Sequence, residues 1–397
     1  MKLLIITNLF PNSKEPIRGM YNKQQFAELT KTCELEVVAP LPYHHFLKVP
    51  YWEIIDGVQV HHPRYFMTPK LGRSLYGFYY FFGIVGKIRD IYSHFKFDCI
   101  LATWAYPDGF AAGLIAKMFK KPLVIKVHGS DINLHTRYRL RRLMIVYTLN
   151  RCAKVIAVSN ALKKRMVDIG VLEEKIEVIS NGVDMDKFFP MDNVECRKKL
   201  NLPLEKKLVL YVGNLVEVKG PDILIEAASR LPENVRVIMI GSGALEDSLK
   251  EKVKLLKLDN KVTFAGVKPH KDIPLWINAA DVLCLPSLHE GCPNVVLESM
   301  ACGRPVVASR VGGLEEIVHT DDMGILVKSG DPLILTGALS RALDKVWDYN
   351  AIKEKSIDCD WADNAAKLKN ELDRALESSI SVRPRNFEAK TIEELLQ

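Results

Sequence analysis

The chain has 397 residues, 48% of them apolar and 26% charged, with a formal charge of +7. That length exceeds one ordinary core and points to two domains, while the charged content is ordinary for a soluble protein. Eight cysteines are scattered without a CxxC pair, which excludes a small secreted disulfide frame and fits buried thiols in a reducing compartment.

The chain opens on Lys2–Thr7, an apolar run too short for a signal-peptide core and read as a first strand. Further strands are expected at Glu36–Ala39, Cys99–Ala102, Leu123–Val127, Val155–Val158 and Ile176–Ile179. Helices are expected near 20–31, 73–93, 108–120, 137–151 and 160–168. The aromatic-rich stretch Leu75 to Val85 is about half the length of a membrane span. Strand–helix alternation of this kind predicts a largely parallel sheet covered on both faces.

The positive charge is uneven. Thirteen Lys and Arg and a single acidic residue, Asp131, lie between Lys117 and Arg165. Such a surface is either a solvated helix face or an attractor of anionic lipid or of a phosphate-bearing acceptor. No nucleic-acid recognition motif accompanies it, so nucleic acid is not an expected partner.

Polar residues with Pro190 and Pro203 mark a linker over 188–207, after a first domain over 1–187. A second strand–helix series then runs through Leu208–Val212, Val235–Ile240, Val262–Ala265, Val282–Leu285, Pro305–Ala308 and Gly324–Val327. Helices are expected near 220–230, 244–256, 270–279 and 294–302. This second domain is placed at 208–365, followed by a helix to about 378 and a polar tail ending at 397.

The most informative segment is Ser287 to Glu298. Glu290 stands in a Gly/Pro loop after an apolar strand, and Glu298 follows eight positions later inside the helix that the loop opens. Pro293 suits the helix start, where the amides of Asn294, Val295 and Val296 offer donors for a phosphate. Carboxylates for hydroxyls beside amides for a phosphate point to a nucleotide-sugar site. For two isolated glutamates the bland reading is surface charge.

Three strand ends in the same half add to this. Gly213-Asn214 leads to Lys219-Gly220, where the lysine would put a point charge on a diphosphate. Gly241-Ser242-Gly243 follows Val235–Ile240 and is either a phosphate-cradling turn or only a tight turn. Gly266 follows the next strand, and backbone near it is a candidate contact for a base edge.

In the first half, His128-Gly129-Ser130-Asp131 lies just past a strand. His128 is either a core histidine or a donor-sugar contact, and Asp131 either orients it or caps a helix. Arg18-Gly19 sits in a loop that is expected to approach phosphate and acceptor. No HExxH or Cys/His cluster occurs, and the DxD strings Asp184-Met185-Asp186 and Asp358-Cys359-Asp360 follow no donor-side strand, so no metal is expected.

Taken in order, these motifs resemble the family 4 glycosyltransferases of the GT-B fold. The carrying residues are Glu290-x7-Glu298 with Pro293 and Asn294, Gly213 with Lys219-Gly220, Gly241-Ser242-Gly243, Ser309-x-x-Gly312-Gly313-x-x-Glu316 and His128-Gly129-Ser130-Asp131. Within the family the chain is similar to bacterial enzymes that build cell-surface polysaccharides.

The resemblance implies two Rossmann-like domains facing across a cleft, with a C-terminal helix returning to the first. It implies a retaining, metal-independent hexosyltransferase without a cofactor. The donor would be a nucleotide-diphosphate sugar, a UDP-sugar ahead of a GDP-sugar, and the acceptor a glycan or a lipid-linked oligosaccharide. Glu290 and His128 would contact the donor sugar, Glu298 the ribose and Lys219 the diphosphate. The expected setting is cytoplasmic, with peripheral contact at an anionic inner membrane face. Two positions depart from the pattern: Asn214 stands where many members carry a basic residue, and Arg18-Gly19-Met20 replaces the usual Gly-Gly loop. A nucleotide-sugar 2-epimerase and a non-catalytic nucleotide-sugar-binding protein are the alternatives on the same fold.

Overall fold

The computed structural model describes residues 1–43, 49–68, 72–355 and 360–381. Its first sheet has eight strands, in the order β10-β9-β8-β7-β1-β2-β5-β4. They are β1 (Lys2–Ile6), β2 (Glu34–Val38), β4 (Trp52–Ile55), β5 (Val58–His61), β7 (Cys99–Thr103), β8 (Leu123–Val127), β9 (Lys154–Ala157) and β10 (Ile176–Val178). Two short strands, β3 (Leu41–Pro42) and β6 (Arg64–Tyr65), pair separately. Every pairing in the large sheet is parallel except β4 with β5. Helices cover both faces, which is why β1, β7 and β8 are almost wholly buried and read as largely apolar runs instead of alternating.

The second sheet has six parallel strands in the order β13-β12-β11-β14-β15-β16. They are β11 (Lys207–Val212), β12 (Val235–Ile240), β13 (Val262–Gly266), β14 (Val282–Leu285), β15 (Val306–Ser309) and β16 (Gly324–Val327). Strand order reverses beside β11, between β12 and β14, and in the first sheet beside β1, between β2 and β7. Loops at the carboxyl ends of such reversals form the crevice where open α/β sheets hold ligands.

The expected linker carries structure of its own. Asp192 caps the Asn193–Lys199 helix by accepting from the Glu195 amide. The buried Arg197 of that helix pairs with Asp281 at 2.9 Å, fastening the segment to the second domain.

The last helix, Trp361–Ser381, returns to the first domain. Its Leu368 and Leu372 join Phe26 and Leu29 in one core, and Gln25 bonds Asn364. The polar tail beyond it, and Asp358-Cys359 of the second DxD string, lie outside the described residues. In the first string Asp184 pairs with Lys187.

Candidate active site

The donor-side residues gather at the reversal of the second sheet. The loops after β11 and β12 interlock: Leu215 N–H donates to Ser242 O at 2.9 Å, and Gly213 N–H to Ile240 O at 3.0 Å. Only glycine fits at 241. Its φ is +137°, and a Cβ there would lie 1.9 Å from the Gly213 carbonyl oxygen. Gly266 closes the row, accepting from the Gly241 amide at 3.0 Å. Asn214 is exposed at the tip.

Lys219 ends the short 3-10 turn Glu217–Lys219 that follows. Its Nζ donates to both oxygens of Glu290, at 2.7 and 2.9 Å. Ser287 Oγ donates to Glu290 Oε1 at 2.7 Å. Glu290 is only 9% exposed, so these three bonds compensate a carboxylate held away from water. An ammonium and a carboxylate thus stand together after β11 and β14, poised for an anionic group and for hydroxyls.

The Asn294–Ala301 helix opens directly after this loop, with Pro293 at its N-cap. Val296 N–H already donates to Pro293 O at 3.1 Å, so the amides left for a phosphate are those of Asn294 and Val295. Glu298 is buried on the helix and bonds Nε2 of His270 at 2.9 Å. Asn181 of the first domain donates through Nδ2 to Asn294 Oδ1 at 2.8 Å, tying the helix start to the opposite sheet.

Across the cleft, His128 follows β8. Its ring lies 4.7 Å from that of Tyr21 and stacks on Trp104 at 6.2 Å, while its Nε2 is shielded and has no partner among the described residues. Burial, and then the neighbouring Lys126, hold the imidazole well below the usual histidine range, so it is neutral at physiological pH. Trp104 carries φ +126°, an uncommon backbone conformation for a side-chain-bearing residue and the kind that collects at ligand sites. The two domains touch here: a Cβ on Gly129 would lie 2.9 Å from Gly291 Cα, and one on Gly291 only 2.0 Å from His128 O.

The remaining first-domain candidates are engaged locally. Asp131 is fully buried and accepts from the amides of Ala105, His128 and Gly129, so it shapes the loop backbone and makes no bond to the imidazole. Arg18 bonds Glu15 at 2.9 Å and the Asn8 carbonyl at 3.0 Å. Gly19 takes φ +61° at the start of the Met20–Leu29 helix.

Glu290, Lys219, Pro293, Asn294 and Val295 are therefore brought together, with His128 on the loop that meets theirs. Glu298 and His270 form a second pair on the same helix. Sequence reasoning missed Ser287, His270, Tyr21 and Trp104. Ser287, three residues before Glu290, was the legible one. His270 and Glu298 are 28 positions apart and meet only through the fold.

Comparison with known proteins bears on the family and the fold. The family model described as Glycosyltransferase Family 4 matches residues 23–187, and that described as Glycosyl transferases group 1 matches 192–357. TuaC of Bacillus subtilis strain 168, a glycosyltransferase named for teichuronic acid biosynthesis, is 29% identical over 87% of this chain and 90% of its own. The D-inositol 3-phosphate glycosyltransferase of Acidothermus cellulolyticus is 36% identical over 46% of this chain and 43% of its own. Among solved structures, sucrose-phosphate synthase from Thermosynechococcus elongatus superposes with TM-score 0.81 at 19% identity, covering 96% of this chain and all of that one. Anabaena Alr3699/HepE in complex with UDP-glucose gives 0.70 at 22% identity, covering 96% and 100%. With the two models matching one sheet domain each and together most of the chain, the chain belongs to the family 4 glycosyltransferases.

Proposed function

We propose that the chain moves a sugar from a nucleotide-diphosphate sugar to a glycan or lipid-linked acceptor in cell-surface polysaccharide synthesis. Transfer retains the anomeric configuration and needs no metal. The observation that carries this reading is the meeting of Lys219, Glu290 and the unspent Asn294 and Val295 amides at the reversal of the second sheet, opposite His128. The UDP-glucose complex of a neighbour of the same fold supports a UDP-sugar donor, and the name of TuaC supports a cell-surface product.

The donor diphosphate takes the ammonium of Lys219 and the helix amides, which releases Glu290 to hold hydroxyls of the donor sugar. Glu298, braced by His270, takes the ribose. The acceptor oxygen attacks the anomeric carbon on the face the diphosphate leaves. The carbon–oxygen bond to phosphate breaks, and the acceptor proton passes to the departing phosphate oxygen. Fixed positive groups stabilising that leaving group supply the main electrostatic contribution to the rate. Neutral His128 contacts the sugar near the reacting carbon as a hydrogen-bonding group.

Kinetics of Glu290→Gln test the assignment. The amide keeps the Ser287 bond and leaves the half-buried Lys219 in reach of water, so folding changes little. We expect kcat to fall about 10²-fold or more, the size of a lost transition-state contact, with the thermal midpoint nearly unchanged. A wild-type kcat refutes the role.

A further inference from the structure

Arg141 is an anomaly in the first domain. It lies on the Arg139–Arg151 helix and is only 8% exposed. Its Nε is shielded without an acceptor, and no carboxylate pairs with it among the described residues. Its guanidinium lies over the rings of Tyr138 at 4.4 Å and Tyr106 at 6.0 Å. Aromatic faces attract the charge but accept none of the five N–H bonds it offers. A buried cation left in this state is costly unless something else supplies the negative partner.

What surrounds it is a cavity of about 370 Å³, within the range of small-molecule sites. Met67, Tyr76 and Pro107 give it an apolar wall, and Arg73, also without a carboxylate among the described residues, stands with Arg141 at its edge. Both arginines line an adjoining cavity of about 470 Å³ as well. His135 adds a shielded Nδ1 with no partner among the described residues. Burial, and then Arg141, push its pKa down to about 4, so the imidazole is a neutral hydrogen-bonding group.

The position relative to the reacting centre matters. His135 meets Trp104 edge-on at 6.5 Å, and Trp104 stacks on His128 at 6.2 Å. The cavity is therefore one aromatic ring beyond His128, on the acceptor's side of the cleft. Phe82, 69% exposed, lies on the Tyr76–Phe95 helix, and Leu143, 67% exposed, on the Arg139–Arg151 helix. Those two helices flank the Ala105–Gly109 turn that forms the cavity floor.

Resting on the transferase reading above, we infer that Arg141 and Arg73 bind the diphosphate of a lipid-linked acceptor, whose sugar reaches toward His128 and whose apolar chain leaves past Met67 and Tyr76. Farnesyl diphosphate is a suitable probe, titrated by calorimetry into full-length protein saturated with UDP so that the donor diphosphate seat is filled. We expect it to bind more tightly than farnesol or inorganic diphosphate, and at least about tenfold more weakly to Arg141→Gln and to the surface variant Arg73→Gln. UDP affinity should be unchanged in both variants. Unliganded Arg141→Gln should melt no lower than wild type, because it removes an unpaired buried charge; a purely structural arginine would lower the midpoint. Equal farnesyl diphosphate affinity in wild type and both variants, or no preference over farnesol, overturns the site. Inorganic diphosphate binding as tightly as farnesyl diphosphate overturns the lipid-linked source. A wild type that does not take UDP refutes the donor reading instead.

Discussion

Asp108 shows how far burial alone can move a single group in this protein. Its carboxyl is fully buried beside the Tyr80 hydroxyl and the Asn8 amide, and burial pushes its pKa up to about 7 from the usual 3.8. The native chain then holds a proton that the unfolded chain gives up between those values. The stability tied to that proton is full below pH 3.8 and is lost as pH rises to about 7. Asp108→Asn should therefore gain on wild type between pH 5 and 8 in chemical denaturation, and a difference independent of pH would contradict this. Glu290 is also buried, but its oxygens accept three bonds from Lys219 and Ser287. Their proximity was legible in part, because Glu290 and Ser287 share a loop. The Lys219–Glu290 bond crosses 71 positions and needed the sheet reversal to appear. Arg141 was only one of thirteen Lys and Arg between Lys117 and Arg165, since burial without a partner leaves no local signature.

At the scale of elements, periodicity located most strands to within a residue or two, because parallel strands buried on both faces read as apolar runs. The β4–β5 hairpin was missed although its signal was present. Asp56-Gly57 stands between Trp52–Ile55 and Val58–His61, and both turn residues take positive φ, 49° and 79°. That is the Asp-Gly turn pattern of a two-residue hairpin. The Asn193–Lys199 helix was likewise announced by Asp192 three residues before Glu195.

The aromatic run 76–82 divides between two fates. Gly77 and Tyr80 are buried in the core, whereas Phe78 and Phe82 are exposed. Leu140 and Leu143 are exposed on the Arg139–Arg151 helix, which packs on the same Ala105–Gly109 turn and carries Arg139 and Arg142, and the one acidic residue of the basic interval, Asp131, is buried. We propose that this face meets an anionic membrane surface, where apolar burial and charge act together. No described helix is long and apolar enough to cross a bilayer. Leu143→Glu should abolish flotation with anionic liposomes that carry the wild type upward; unchanged flotation would remove this face from the membrane contact.

The whole molecule is held closed by groups from both sheets. Glu316 of the second domain accepts from the Asn160 and Ala161 amides, at 2.8 and 2.9 Å, at the first turn of the Asn160–Asp168 helix. A carboxylate on a helix start gains from the dipole as well as from the bonds. Glu316→Ala should enlarge the radius of gyration of the ligand-free protein in small-angle scattering, and an unchanged radius would show that other contacts suffice for closure. On the first domain's side, Lys126 bonds Gln25 and Asn181 at 3.0 and 3.2 Å, and Asn181 reaches the helix that starts at Asn294. Burial pulls the Lys126 pKa down to about 7. The C-terminal helix enters the same network through Asn364 and Gln25. None of these joints is visible in the sequence, where their members lie far apart. The family motifs were visible because each occupies one loop at the end of one strand.

The central claim is that a nucleotide diphosphate rests between Lys219 and the start of the Asn294–Ala301 helix. A crystal structure of the protein with UDP tests it most directly. The account predicts phosphate oxygens within hydrogen-bond distance of Lys219 Nζ and of the Asn294 or Val295 amide, with the Lys219–Glu290 bond opened. Nucleotide bound elsewhere while that bond stays closed would contradict it.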